Sequence, residues 1–204
     1  MKKYNTIRQI LTQFILIVFS VVLGLYLSER IEERKKQKES DVLLSKLKSE
    51  VTDNIKLLED WVPYHQEINQ NLDSLIDDTT FIEAFVNDKY AFYETLFTRG
   101  TFMAMFPTND AWEIAKSHPL IVNVDYDKLL ILSRIYSQQE NTFEPGFKMF
   151  DVLNSKGINK KEEAKSNLAL LSGHMKELIA REKDLLFFCR KGEVALNVEE
   201  DGDK

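Results

Sequence analysis

The chain is poor in the residues that break or cross-link a fold. Seven Gly and four Pro make up 11 of 204 residues, about 5% where average usage is roughly 12%. Tight turns depend on these two residues, Gly for positive φ and Pro for a fixed φ. Their scarcity argues against a sheet-rich fold with many hairpins and for long helices with few connections. The single Cys excludes an intramolecular disulfide framework and any multi-Cys metal site within one chain.

Residues that carry chemistry are equally sparse. His65, His118 and His174 are far apart and form no H-E-x-x-H pattern. His65 has Glu67 nearby, and His174-x-x-Glu177 lacks the second copy that a di-iron bundle requires. Gly-rich phosphate loops and a G-x-S-x-G elbow are missing. Cys189 lies on an apolar stripe and reads as a buried structural residue. The expectation is a protein that is not an enzyme, with no catalytic residue, no metal and no cofactor.

What the chain does have is a long uncharged run. Gln9 to Ser28 are 20 consecutive residues without charge, mostly Ile, Leu, Val and Phe, bracketed by Arg8 and Glu29. As a helix they span about 30 Å, the hydrocarbon thickness of a bilayer. A helix satisfies its own backbone, so the segment predicts a single transmembrane helix. A cleaved signal peptide is the competing reading, since Lys2, Lys3 and Arg8 form an n-region. Cleavage after Ser28 would place Tyr26 at a position that wants a small residue; Val22 and Gly24 suit it better. Within the run Ser20, Gly24 and Ser28 are spaced by four, with Gln13 near the same face. Small residues at that spacing allow close helix approach, so these four residues form a candidate packing face.

Charge is uneven around this run. Residues 1–40 hold eight Lys or Arg against four Glu, while the rest hold 19 basic and 29 acidic residues. An acidic body repels phosphate, so nucleic acid is not an expected partner. The expected partners are the lipid bilayer and either other proteins or a second copy of the chain. Arg30, Arg34, Lys35, Lys36 and Lys38 follow the apolar run, and a plain count keeps that side in the cytoplasm. The order of basic start, apolar run and large domain is that of an uncleaved export signal. It favours a domain on the outer side of the inner membrane.

Five segments follow: a basic tail (1–9), the transmembrane helix (10–28), a charged stem (29–40), a helical bundle (41–190) and an acidic tail (191–204). Leu44, Leu47, Val51, Ile55, Leu58 and Val62 form a helical stripe, and Pro63 is expected to end or kink that helix. A second helix over 64–78 would turn Ile68, Leu72, Leu75 and Ile76 inward. Thr79 or Thr80 would cap a third. Thr108 or Asn109 would cap a short helix over 111–116, and His118-Pro119 would break it. Another helix starts near Asp125, with Leu129, Leu132, Tyr136, Gln139 and Phe143 on its stripe; Pro145-Gly146 interrupts it, and Phe147 and Phe150 continue the face. The last helix is the clearest: Ala164, Leu168, Leu171, Met175, Leu178, Glu182, Leu185 and Cys189 alternate by four and three, with Glu182 the acidic interruption. The fold class is therefore all-α, an elongated antiparallel bundle on a membrane anchor.

Residues 81–106 hold six of the 13 Phe. With Trp112 nearby, Phe92, Phe97, Phe102 and Phe106 are open to three readings: core of the bundle, an exposed partner patch, or the lining of an apolar ligand pocket. The function expected is an accessory or scaffold subunit of a larger membrane complex, acting through helix contacts. The alternative is a membrane-tethered sensory module that binds a small apolar ligand in this Phe-rich region.

Several strings together resemble an uncharacterised family of small bacterial single-pass membrane proteins. They are the membrane exit Val21-Val22-Leu23-Gly24-Leu25-Tyr26-Leu27-Ser28-Glu29-Arg30, the charged Glu32-Glu33-Arg34-Lys35-Lys36, and Leu44-x-x-Leu47-Lys48-x-Glu50. Ala111-Trp112-Glu113-x-Ala115-Lys116 is similar to the family's A-W-E-x-A-K element, and Leu132-Ser133-x-Ile135-Tyr136-Ser137 to a later one. The resemblance implies a membrane anchor and a helical domain, and no particular activity.

Overall fold

The computed structural model describes the backbone of residues 2–197 and the side chains of residues 12–88, 90 and 93–197. Helix α1 spans Lys2–Leu75, α2 Thr79–Asn87, α3 Lys89–Leu96 and α4 Asp110–Ser117. A 3-10 turn over Pro119–Asn123 leads to α5 (Tyr126–Thr142), α6 (Glu144–Asn154) and α7 (Ala164–Asn197). Among the described residues there is no strand. The all-α expectation holds.

The 74 residues of α1 form one helix, about 110 Å long at 1.5 Å per residue. Its amino-terminal part is apolar enough to cross a membrane, with a mean hydropathy of 2.0 and no burial inside the protein. Its carboxyl-terminal part is the spine of the bundle. Leu47, Val51, Leu58, Ile68 and Leu72 are buried there. Helix α7 packs antiparallel along that spine. The Thr52 hydroxyl donates to Glu193 (2.7 Å) near one end, and the Ser172 hydroxyl donates to Asp73 (2.6 Å) near the other. The predicted α7 stripe is fully buried, from Ala164 through Leu185 to Cys189. The two apolar stripes thus face each other within one chain. Helices α5 and α6 close the far side of α7. A methyl group at Gly192 would press on the end of the Ile135 side chain of α5, so α5 packs closely over bare backbone there.

Four local expectations are corrected. Pro63 neither ends α1 nor separates a second helix over 64–78. Its ring is on the exposed face, beside exposed Glu59, so the carbonyl that loses its donor is turned toward water. The cost of a mid-helix Pro, about 3 kcal/mol, is offset by burial of Leu58, Trp61, Val62 and Tyr64 around it. The cap of α2 is Asp78, whose carboxylate accepts from the Thr80 and Phe81 amides at 2.9 and 3.1 Å, rather than Thr79 or Thr80. The Asn109 side chain makes no capping bond to α4. The acidic tail expected from residue 191 begins later, because α7 runs to Asn197 with Gly192 and Leu196 buried. Residues 198–204 of that tail lie outside the described residues, as do the side chains of the basic segment 1–9.

Candidate functional site

Between α3 and α4 the chain runs through 97–109 without regular structure. Irregular backbone exposes polar groups that helices would satisfy internally, so each needs a partner. One face of α1 supplies most of them. The Tyr64 hydroxyl donates to the Thr101 carbonyl (2.8 Å) and accepts the Arg99 amide (3.2 Å). Asn54 clamps Thr108 from both sides: its Nδ2 donates to the carbonyl (2.7 Å) and its Oδ1 accepts the amide (2.8 Å). From α5, Gln139 Nε2 donates to the Pro107 carbonyl (2.8 Å). The loop is strapped to the spine by buried side chains.

Glu50 does the work expected of a cap. Its carboxylate accepts the Ala111 and Trp112 amides of α4 at 2.8 and 3.3 Å, and the Tyr136 hydroxyl at 2.6 Å. A carboxylate at a helix amino terminus meets free N–H groups and the positive end of the dipole. Burial, then the Glu50 carboxylate, push the Tyr136 phenol far above the ordinary tyrosine range. Trp112 stacks on Tyr136 with centroids 5.2 Å apart and planes 6° from parallel. Trp112 is therefore a half-buried packing anchor that fixes α4 on α1 and α5.

At the centre of the strap lies a buried pair. His65 Nδ1 is 2.8 Å from Glu182 Oε2, and its Nε2 is 2.5 Å from the Phe102 carbonyl. The carbonyl can only accept, so Nε2 carries a hydrogen. The Nδ1 contact needs one further hydrogen, held on the imidazole or on the carboxyl. Glu182 is 0% exposed and belongs to the middle of α7, so the acidic interruption in the apolar stripe joins α7, α1 and the loop. Its Oε1 and the Trp61 indole N–H have no protein partner. Both residues line a cavity of about 10 Å³, together with Phe102, Met103 and Phe143. That is room for one water at most. Helical spacing held the signal for this pair: His65 sits three residues after Val62 and three before Ile68, on the buried side of α1.

The aromatic residues of the loop divide. Phe97 and Phe102 are buried, 5.3 Å apart between centroids, and Phe102 also meets Phe150 at 4.6 Å. They are core, the first of the three readings left open, and not an exposed patch. Only Phe106, 43% exposed, reaches the surface, stacked on exposed Phe147 at 5.7 Å. Exposed Phe147 thus departs from the inward face expected of it. The side chain of Phe92 lies outside the described residues. The cavity that Phe102, Met103 and Met105 line, about 10 Å³, is far smaller than the several hundred Å³ of a typical ligand site.

The other expected face is free. Gln13, Ser20, Gly24 and Ser28 are exposed, and a Cβ at Gly24 would meet nothing within 4 Å. The Ser20 hydroxyl donates to the Leu16 carbonyl of its own helix (2.7 Å). Cys189 is buried, and burial pushes its thiol up to about 12. Among the described residues no group of three or more His, Cys, Asp or Glu is placed to hold a metal ion. No family model, curated protein or solved structure matches the chain.

Proposed function

We propose that this chain is a single-pass membrane protein, anchored through the apolar part of α1, that serves as an accessory or scaffold subunit of a larger membrane complex through helix contacts. One observation carries the reading: α1 passes without a break from an apolar segment that none of the described residues buries to the spine of a packed domain. Exposed Phe14, Ile15, Phe19 and Leu23 have no place in water at that density. The resemblance of the membrane exit and stem to bacterial single-pass proteins supports the inner membrane as its site. The export-signal layout supports a domain on the outer side.

Purification of the full chain in mild detergent tests the role. The expected outcome is a stable assembly with one or more stoichiometric partners. A strictly monomeric chain with no co-purifying protein overturns the scaffold reading. A carboxyl-terminal reporter that is active only outside the inner membrane confirms the side, and one active only in the cytoplasm reverses it.

A further inference from the structure

Beside the membrane-proximal end of the bundle, α1 and α4 enclose a surface groove of about 570 Å³. Its walls are apolar: Val42 is 53% exposed, Ile114 is 62% exposed, and half-buried Leu43 forms part of the floor. Its rim is predominantly basic: Lys35, Lys38 and Lys46 line it, together with one acid, Glu39, and His118. Lys35 has Glu39 at 3.9 Å, whereas Lys38 and Lys46 make no ion pair among the described residues. The wall is stiff, because Glu50 and the Trp112–Tyr136 stack hold α4 in place. Exposed apolar residues framed by unpaired charge of one sign are a recognition surface for an apolar segment of opposite charge.

The groove also continues a line. Lys38, Val42 and Lys46 each follow Ser20, Gly24 and Ser28 by 18 residues, about five helical turns at 3.6 residues per turn. With α1 unbroken across this stretch, the groove stands directly above the small-residue face of the apolar segment. A helix packed on that face and continuing straight out of the bilayer enters the groove.

We infer that the groove docks the juxtamembrane helix of a partner membrane protein, an acidic amphipathic segment that extends from the partner's own transmembrane helix. This rests on the anchored-subunit reading and names the chemistry of the partner. Lipid head groups do not fit the position. Lys38 and Lys46 lie 10 and 18 residues beyond Ser28, about 15 and 27 Å along the axis, while a head-group layer extends only about 5–8 Å past the hydrocarbon. A second copy paired in parallel through this face would set Lys38 and Lys46 against their own equivalents, a repulsive arrangement.

The test uses the full chain in phosphatidylcholine vesicles with a synthetic single-pass peptide as probe. The peptide has a Ser/Gly-faced span and a stem of Leu at helical spacing flanked by Glu; a matched peptide carries Lys in place of Glu. A donor dye is placed on exposed Ser45→Cys, which labels selectively because Cys189 is buried. Energy transfer to the acidic stem is expected to exceed that to the lysine stem several-fold. Ile114→Glu and the pair Lys38→Glu/Lys46→Glu are each expected to weaken the acidic pairing roughly tenfold, and the charge-reversed pair is expected to gain the lysine stem. These positions are exposed, so circular dichroism is expected to be unchanged. Equal transfer to both stems, or full transfer in Ile114→Glu, overturns the groove even where the span still pairs. Stronger transfer between copies of the chain than to the acidic probe overturns it in favour of self-association. Loss of every co-purifying partner would defeat the scaffold reading independently, since that measurement does not involve the probe.

Discussion

Leu23 and Leu58 belong to the same helix, yet Leu23 is 43% exposed and Leu58 1%. Helical backbone geometry is the same around both. What differs is the availability of a facing stripe. The apolar positions of α7, over its 34 residues, run antiparallel to the spine half of α1 and cover it. Among the described residues, no element covers residues 12–28. A stripe with a partner in the chain becomes core, and one without it requires lipid or another protein. The span is the more apolar half, with a mean hydropathy of 2.0, yet it is the spine that is buried; the length and register of the opposing helix decide which half becomes core.

The largest expected effect comes from separating the halves. Removal of residues 1–28 is expected to move the protein from the membrane to the soluble fraction while leaving its melting temperature within about 2 °C. A melting temperature that collapses with the deletion would break the distinction between the two regions. Within the spine, Glu182→Leu leaves His65 buried without its partner and is expected to cost about 3–5 kcal/mol in chemical denaturation. The double variant His65→Leu/Glu182→Leu is expected to recover much of that, because both polar groups are gone. A matched pair then tests the comparison directly. Leu58→Ala is expected to lose about 2–5 kcal/mol, and Leu23→Ala less than about 0.5 kcal/mol. Equal losses would mean that the span contributes to the bundle.

The smallest effect concerns pH. The Ser172 hydroxyl, with Lys176, holds the Asp73 carboxyl below its ordinary range. A group depressed in the folded state contributes stability that is complete above its unfolded value and fades as pH falls through the folded one. A slightly steeper loss of stability is therefore expected below about pH 4, and Asp73→Asn is expected to flatten it in acid denaturation.

Regular elements were the readable part of this sequence. The α7 stripe, the start of α5 at Asp125 and the break at His118-Pro119 are local patterns, and local patterns survive folding when nothing competes with them. Pro63 misled because its rule describes an isolated helix, while burial of its neighbours on both sides decides the outcome. The caps of α2 and α4 show two different failures. Asp78 is one residue from the expected cap, an ordinary boundary error. Glu50 is 60 residues from the helix it caps, and no local pattern contains that information. The central pair failed for the same reason. His65 invites pairing with Glu67 because they are neighbours in sequence, yet only His65 is on the buried side of α1, and its partner is on α7. The polar residue inside an apolar stripe was the visible sign, and its meaning required the antiparallel register of two helices.

The absence of a joint in α1 has a mechanical consequence. A domain on a Gly- or Ser-rich tether turns freely about its anchor, and motions of the anchor are lost in the tether. Here the anchor and the spine are one rod. Rotation of the membrane segment about its axis turns the stem, and with it the wall that Val42 and Leu43 present. A tilt of a few degrees within the bilayer becomes a displacement of several ångströms at Leu75, about 70 Å above the last residue of the span. On the anchored reading proposed above, an unbroken α1 would hold the domain at a fixed height and bearing relative to the bilayer.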